Sequence, residues 1–218
     1  HQGTRELAFA SEIGSLLEIP GITRDLDRRA LDQFLFYQYV PQPRTMFQAI
    51  RQLPAGHCLL HRRDETRIWR WSGADPLPVS GEGDERCIEG LEAALEDAVE
   101  SHLVSDVPVG VFLSGGLDSS LVLAAASRKS NEPLQTFSIA FPGTAADESQ
   151  HARRAAQAFG SRHTQVTFDA GRVREYLETV GRVYGQPLAD SATMPVLALS
   201  EVASQHVKVV LTGDGGDE

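Results

Sequence analysis

The chain has 218 residues, a formal net charge of −10 and 41% hydrophobic residues, a composition typical of a folded domain rather than of a disordered or fibrous chain. The acidic balance argues against nucleic-acid binding, because no basic patch is available to replace the counterions of a phosphate backbone. No apolar run is long enough to cross a bilayer, and Cys58 and Cys87 are too few for a disulfide framework. We therefore expect a protein of the reducing cytoplasm that does not contact a membrane.

The first part of the chain predicts a small α+β unit. Its expected elements are a strand at 7–10, a helix at 12–17, a second helix capped by Asp25 or Asp27, and two strands at 56–61 and 66–71. His57 and His61 alternate with Cys58 along the first strand of this pair, a pattern that does not favour a metal site. No catalytic cluster is visible in this part of the chain.

A stretch rich in Gly, Pro, Ser and acidic residues follows at 72–84 and is typical of a linker. We place a first domain at 1–75, the linker at 76–84 and a second domain at 85–218. The second domain opens with an amphipathic helix whose apolar stripe runs from Ile88 to Leu103. Its opposite side is acidic, which predicts a packed layer of an α/β domain with a solvated face.

From residue 107 onward, strands and helices alternate. The expected strands are 109–113, 134–141, 164–168 and 207–211, and the expected helices are 121–127, 148–159, 173–184 and 194–204. Mostly apolar strands separated by helices predict right-handed βαβ units in a parallel, doubly wound α/β sheet. Ligands of such sheets lie beyond the carboxyl ends of the strands, and the turns at 114–120, 141–143 and 212–218 fall there.

The turn after the strand at 109–113 has the composition of a phosphate-binding loop. Glycine lets successive N–H groups point into one concavity, and the following helix adds its unpaired first-turn N–H groups. The predicted phosphate-binding residues are Ser114, Gly115, Gly116, Leu117, Asp118, Ser119 and Ser120. A Walker-type loop would carry a lysine where this turn carries Asp118, and a carboxylate beside phosphates requires a divalent cation between them. The alternative is an ordinary βα turn capped by Asp118 and Ser119.

The last strand is followed by Thr212-Gly-Asp-Gly-Gly-Asp-Glu218, which brings three carboxylates together. A folded protein tolerates Asp214, Asp217 and Glu218 at such spacing best around cations. Asp118 and Asp217 are therefore predicted to hold Mg²⁺ against the bound phosphate groups. The alternative is an exposed acidic turn. The chain contains only two lysines, so we expect backbone N–H groups, arginines and Mg²⁺ to hold the nucleotide.

The SGGLDSS stretch at 114–120 resembles the pyrophosphate-binding loop of ATP pyrophosphatases that adenylate a substrate. Its nearest likeness is the synthetase domain of glutamine-hydrolysing asparagine synthetases. Residues 7–17 resemble the end of that family's glutaminase domain, and residues 186–195 and 207–218 resemble later synthetase motifs. The resemblance implies an adenine nucleotide alpha hydrolase-like fold of the ATP pyrophosphatase type, truncated at its carboxyl end, with a small α+β remnant before it.

The resemblance also implies an activity and site roles. The enzyme would use ATP and Mg²⁺ to adenylate a carboxylate, above all the side chain of aspartate, and ammonia from glutamine would then form the amide of asparagine. Asp214 would orient ammonia or accept its proton. The implied nucleotide contacts beyond the loop are Thr212 and Gly213, with Phe112 and Ile139 beside the adenine. The candidates for the second substrate are Asp190, Ser191 and Thr193, whose alternative is a Pro-bounded loop with a helix N-cap.

Departures from the family pattern leave alternatives open. Neither cysteine matches the glutaminase nucleophile, and the chain lacks the aromatic-glycine-tyrosine stretch and the lysine that follow the acidic turn in the family. We therefore expect a fragment that by itself catalyses the reaction weakly or not at all. Its expected partners are small-molecule substrates, and formation of a homodimer is left open. The alternative functions are a β-lactam synthetase-like or peptide-modifying amide ligase and a non-catalytic nucleotide-binding module.

Overall fold

The computed structural model describes residues 7–63, 65–72 and 83–216. The chain divides into two compact units: His1–Val79 with Leu177–Thr193, and Ser80–Tyr176 with Met194–Glu218. Of the predicted linker at 76–84, only residues 83 and 84 are described, so the domain boundaries placed from the sequence stay a prediction. Among the described residues, no helix combines the length and the apolarity needed to span a bilayer.

The described amino-terminal residues of the first unit form two helices and a hairpin. These elements are α1 (Ile13–Leu17), α2 (Arg28–Tyr37), β1 (His57–Arg62) and β2 (Glu65–Arg70), and the two strands pair antiparallel. Asp27 rather than Asp25 caps α2, because its side chain accepts hydrogen bonds from Arg29 N and Ala30 N. The strand predicted at 7–10 is wrong: only Leu7 forms an isolated bridge.

The second unit holds the predicted α/β sheet. Its elements are α3 (Asp84–Leu103), β3 (Val109–Phe112), α4 (Leu117–Lys129), β4 (Gln135–Ala140), α5 (Ser149–Ala158), β5 (Arg162–Thr167), α6 (Ala170–Tyr184), α7 (Thr193–Ala203) and β6 (Val209–Leu211), of which α6 and α7 also extend into the first unit. The strand order is β5-β4-β3-β6 and every pairing is parallel. The predicted parallel α/β sheet is confirmed, with β3 between β4 and β6.

Helices cover both faces of this sheet. Successive side chains of a strand point to opposite faces, and β3 shows the result: Val111 packs with residues of α3, α4 and α5, whereas Phe112 packs with residues of α7. The sheet is therefore doubly wound, as the alternation of elements predicts. The carboxyl ends of β3, β4 and β6 lie at one edge.

Three details differ from the sequence-based expectations. The helix after the glycine turn begins at Leu117 instead of 121, so the turn is shorter than predicted. The last strand is shorter too, and Lys208, expected on a buried strand, is exposed, because β6 has only one neighbour among the described strands. On α3, Ile88 and Leu91 are 64% and 69% exposed, so the predicted apolar stripe is packed only toward its carboxyl end.

The acidic side of α3 also forms ion pairs with α4. Glu92 and Glu96 pair with Arg128 of α4, and the Glu100 carboxylate lies 2.6 Å from Lys129 Nζ. These ion pairs join the two helices on one face of the sheet. Because all of these side chains are partly or largely exposed, solvent screens the ion pairs and each contributes little to the stability of the fold.

Candidate functional site

The turn between β3 and α4 needs glycine at Gly115 for two reasons. Its φ of +87° lies in the left-handed region, which other residues rarely adopt. A Cβ atom at this position would also lie 2.3 Å from Ala152 N and 2.6 Å from the carbonyl carbon of His151. The backbone of α5 therefore packs directly against the turn, and no side chain can be accommodated between them.

The start of α4 is left open. Gly116 is the N-cap, and no side chain caps the helix. The Ser114 hydroxyl accepts from Gly116 N and lies 2.9 Å from Ser119 Oγ, which in turn donates to Gly116 O. The alternative in which Asp118 and Ser119 cap an ordinary turn is therefore not what the structure shows. First-turn N–H groups without a side-chain cap, at the positive end of a helix, are suited to an anion.

The turn after β6 packs on this helix start. β6 pairs with β3, with Leu211 opposite Val111, so residues 212–216 lie beside the glycine turn. A Cβ atom at Gly213 would lie 2.7 Å from Ser119 N, and one at Gly216 would lie 2.9 Å from Asp118 Cγ. At Gly213 the clash would be with backbone, so glycine is required there, whereas at Gly216 the Asp118 side chain would have to turn away. The structure thus brings Asp118 and the Gly-rich acidic turn together.

Asp118 is the one described carboxylate at this helix start that could contact a bound cation. Its carboxyl group is half-buried against Gly216, and none of the ion pairs between described residues includes it. Carboxylate oxygens are the ligands that Mg²⁺ prefers. Among the described residues, no group of three or more His, Cys, Asp or Glu side chains is arranged around a common point. Asp217 and Glu218 lie outside the described residues, so the pair of Asp118 and Asp217 stays a prediction.

The other predicted nucleotide contacts lie in the same unit. Phe112 and Ile139 are half-buried and pack against the same apolar cluster, which is centred on Phe137. Thr212 and Asp214 are exposed on the turn after β6. Phe112 and Ile139 therefore share one face of the sheet, while Thr212 and Asp214 stand at its carboxyl edge. Contact of any of them with a nucleotide stays a prediction.

The candidates for the second substrate lie in the first compact unit. The Asp190 carboxylate accepts from Ala192 N at 2.8 Å, and Asp190 O accepts from Thr193 N, which supports the helix-cap alternative for this residue. Ser191 is exposed. The Thr193 side chain is buried, and its hydroxyl has no hydrogen-bond partner among the described residues. Their role in substrate binding remains a prediction.

Sequence reasoning missed a residue that shapes the neighbouring loop. Asp147 Oδ1 accepts from Phe141 N at the end of β4 and from Ser149 N at the start of α5. Hydrogen bonds from Ser149, first from its hydroxyl and then from its backbone, outweigh desolvation and lower the pKa of Asp147. The sequence did contain a signal for this role, because an aspartate two residues before a serine at a helix start is typical of a local cap.

Family comparisons agree with this arrangement of sheet and loop. Residues 90–218 match the asparagine synthase model, and residues 1–72 match a glutamine amidotransferase domain. The chain belongs to the asparagine synthase family. The stretch that matches the asparagine synthase model includes the turns at 114–120 and 212–216.

Individual proteins are similar to different shares of the chain. Asparagine synthetase [glutamine-hydrolyzing] 1 of Bacillus subtilis is 32% identical over 98% of this chain and 33% of its own length. Amidase chyE of Penicillium rubens is 32% identical over 81% of this chain and 29% of its own length. An NH3-dependent NAD synthetase from Campylobacter jejuni overlaps 56% of this chain and 54% of its own, with a TM-score of 0.39 at 14% identity. The chain spans about a third of the length of the curated asparagine synthetases it matches.

Proposed function

We propose that this chain is part of an ATP-dependent ligase that forms carbon–nitrogen bonds in asparagine biosynthesis. It would adenylate a carboxylate, above all the side chain of aspartate, and ammonia released from glutamine would convert the product to the amide. The observation that carries the proposal is the packing of the GDGG turn against Asp118 at the uncapped start of α4. Phosphate binding alone needs no such carboxylate, whereas a cation-bridged polyphosphate does.

We assign each site residue a role from its position at the carboxyl edge of the sheet. Residues 114–120 bind the β- and γ-phosphates through backbone N–H groups and hydroxyls, and Thr212 and Gly213 contact the nucleotide. Phe112 and Ile139 lie beside the adenine. Asp118 and Asp217 hold Mg²⁺, which when bound supplies positive charge that offsets the charge of the triphosphate.

The proposed reaction has two steps. A carboxylate oxygen of the substrate attacks the α-phosphorus of ATP, the bond from this phosphorus to the bridging oxygen breaks, and pyrophosphate leaves with the electron pair. Ammonia then attacks the acyl carbon of the adenylate, AMP leaves, and a proton from nitrogen passes to Asp214. The loop donors stabilise the pyrophosphate charge as it develops, which is the general use of preorganised N–H groups in catalysis.

The test is carboxylate-dependent exchange of ATP and pyrophosphate by the full-length protein that contains this chain. With aspartate as the acid, Asp118→Asn should reduce exchange by roughly 10- to 100-fold, the usual effect of weakening a metal site. Asp106→Asn, at an exposed position before β3, is the matched control and should leave exchange unchanged. Undiminished exchange by a folded Asp118→Asn protein would contradict the metal assignment.

The similarity to a protein named for another activity, amidase chyE, keeps the substrate open, and the second candidate is an amide-forming ligase with a different acid substrate, such as a β-lactam synthetase-like or peptide-modifying enzyme. The same exchange assay separates the two, because only the proper carboxylic acid stimulates it. Nucleotide binding without exchange for any acid would instead indicate a non-catalytic module.

A further inference from the structure

The first turn of α5 touches the proposed phosphate loop. The contact is made by the backbone around His151: a Cβ atom at Gly115 would lie 2.7 Å from His151 Cβ and 2.6 Å from its carbonyl carbon. His151 is exposed, and its ring forms no hydrogen bond or ion pair within the part of the chain that the structure describes. A side chain with an N–H donor therefore projects from a backbone that lies against the glycine turn.

Neither lysine of the chain can serve the loop. Lys129 stands at the far end of α4, roughly 18 Å along the helix axis from Leu117, and its Nζ is 2.6 Å from a carboxylate oxygen of Glu100. Lys208 precedes β6, and its N–H donates to Pro108 O just before β3, at the amino edge of the sheet. Within this chain, any side-chain donor to the polyphosphate at the carboxyl edge must therefore come from a residue type other than lysine.

The acidic groups near α5 are unsuited to binding phosphate, whereas His151 can donate a hydrogen bond to it. Asp147 already accepts two backbone N–H groups, from Phe141 and Ser149. Glu148, the N-cap of α5, makes no side-chain capping bond, and Asp118 is the candidate cation ligand on the loop. Carboxylates repel phosphate, whereas an imidazole has an N–H donor in both its neutral and its charged form.

We propose that His151 is a further phosphate-binding residue, which donates a hydrogen bond from its ring to the polyphosphate held by residues 114–120. This inference rests on the proposed function, because it assumes that the loop binds the pyrophosphate part of ATP. His151 would assist binding of the product pyrophosphate as well as of ATP, since both present the same oxygen atoms to the loop.

The experiment measures the affinity of the full-length protein for pyrophosphate with magnesium by calorimetry. His151→Ala should weaken binding about tenfold, as expected for the loss of one hydrogen bond to a charged group. His151→Gln keeps an N–H donor and should recover most of the affinity. Gln150→Ala, an exposed neighbour on the same helical turn, is the matched control and should bind like the wild type.

The outcomes separate the two proposals. If the wild type binds pyrophosphate and folded His151→Ala binds it equally well, the role of His151 is overturned while the proposed function stands. If His151→Gln is as weak as His151→Ala, ring-specific packing rather than donation is indicated, and the hydrogen bond is overturned. If the wild type itself does not bind pyrophosphate, the proposed function fails together with this inference.

Discussion

At the scale of single residues, close approach of backbone segments decides where glycine is required. Gly213 lies so near Ser119 N and Asp118 Cβ that a methyl group there would fall 2.7 and 3.0 Å from them. Gly90, in the interior of α3, has no heavy atom within 4 Å of an added Cβ. The same substitution must therefore have opposite consequences at these two positions.

Gly213→Ala should weaken ATP binding, because the turn after β6 has to move away from Asp118 to admit the methyl group. We expect at least a tenfold loss of affinity by calorimetry, since misplacement by about 1 Å can reduce activity 100-fold. Gly90→Ala is the control and should raise the free energy of unfolding by about 0.5–1 kcal/mol in urea titrations. Wild-type ATP affinity in Gly213→Ala would show that the contact does not shape the site.

At the scale of elements, β4 and β5 are joined by a buried polar network as well as by their ladder. His163 Nδ1 lies 2.9 Å from Thr136 Oγ1, and Nε2 lies 3.0 Å from Ser138 Oγ. Thr136 Oγ1 is also 2.9 Å from Ser161 Oγ. Burial, and secondarily the positive charge of Arg153, lower the pKa of His163 from its ordinary value of 6.5. The folded protein therefore favours the neutral ring.

This lowered pKa predicts a pH dependence of stability. As pH falls below about 6.5, the unfolded chain binds a proton that folded His163 resists, so the free energy of unfolding decreases until the folded pKa is reached. Above the pKa of this histidine in the unfolded chain, the stabilisation by neutral His163 is fully present. Urea titrations at pH 7 and pH 5.5 should show that the free energy of unfolding falls less between these pH values in His163→Gln than in the wild type.

The exposed His102 on α3 provides the matched control for this experiment. His102→Gln should keep the wild-type difference in unfolding free energy between the two pH values. An equal difference in the wild type and in His163→Gln would mean that other groups control stability in this range.

At the scale of the whole molecule, packing between the sheet and α3, α4 and α5 holds the second unit together. Leu123 of α4 is fully buried in that layer, whereas Leu121 of the same helix is 42% exposed. Leu123→Ala should lower the free energy of unfolding by about 2–5 kcal/mol, because it removes buried methyl groups and leaves a cavity. Leu121→Ala should lower the free energy of unfolding by less than about 1 kcal/mol. Equal losses by the two variants in urea would contradict the assigned layer.

Much of the second unit could be predicted from the sequence. The helices and strands of the alternating region end within a few residues of their predicted bounds, because hydrophobic periodicity and glycine turns are local signals. The loop at 114–120 was recognisable for the same reason. The exposure of Ile88 and Leu91 was not predictable, since it depends on neighbours distant in sequence, and the sequence pattern alone did not decide between Asp25 and Asp27 as the cap.

What the sequence by itself determined is the order of strands and helices, the parallel α/β class and the presence of glycine-rich turns after β3 and β6. Only the tertiary structure decided that β6 pairs with β3, that Gly213 and Gly216 pack on Asp118, and that α5 touches Gly115. The physical reason is that secondary structure follows from side-chain periodicity within a segment. The contacts that assemble the site follow from the pairing of strands and packing of helices far apart in the chain, which no local pattern records.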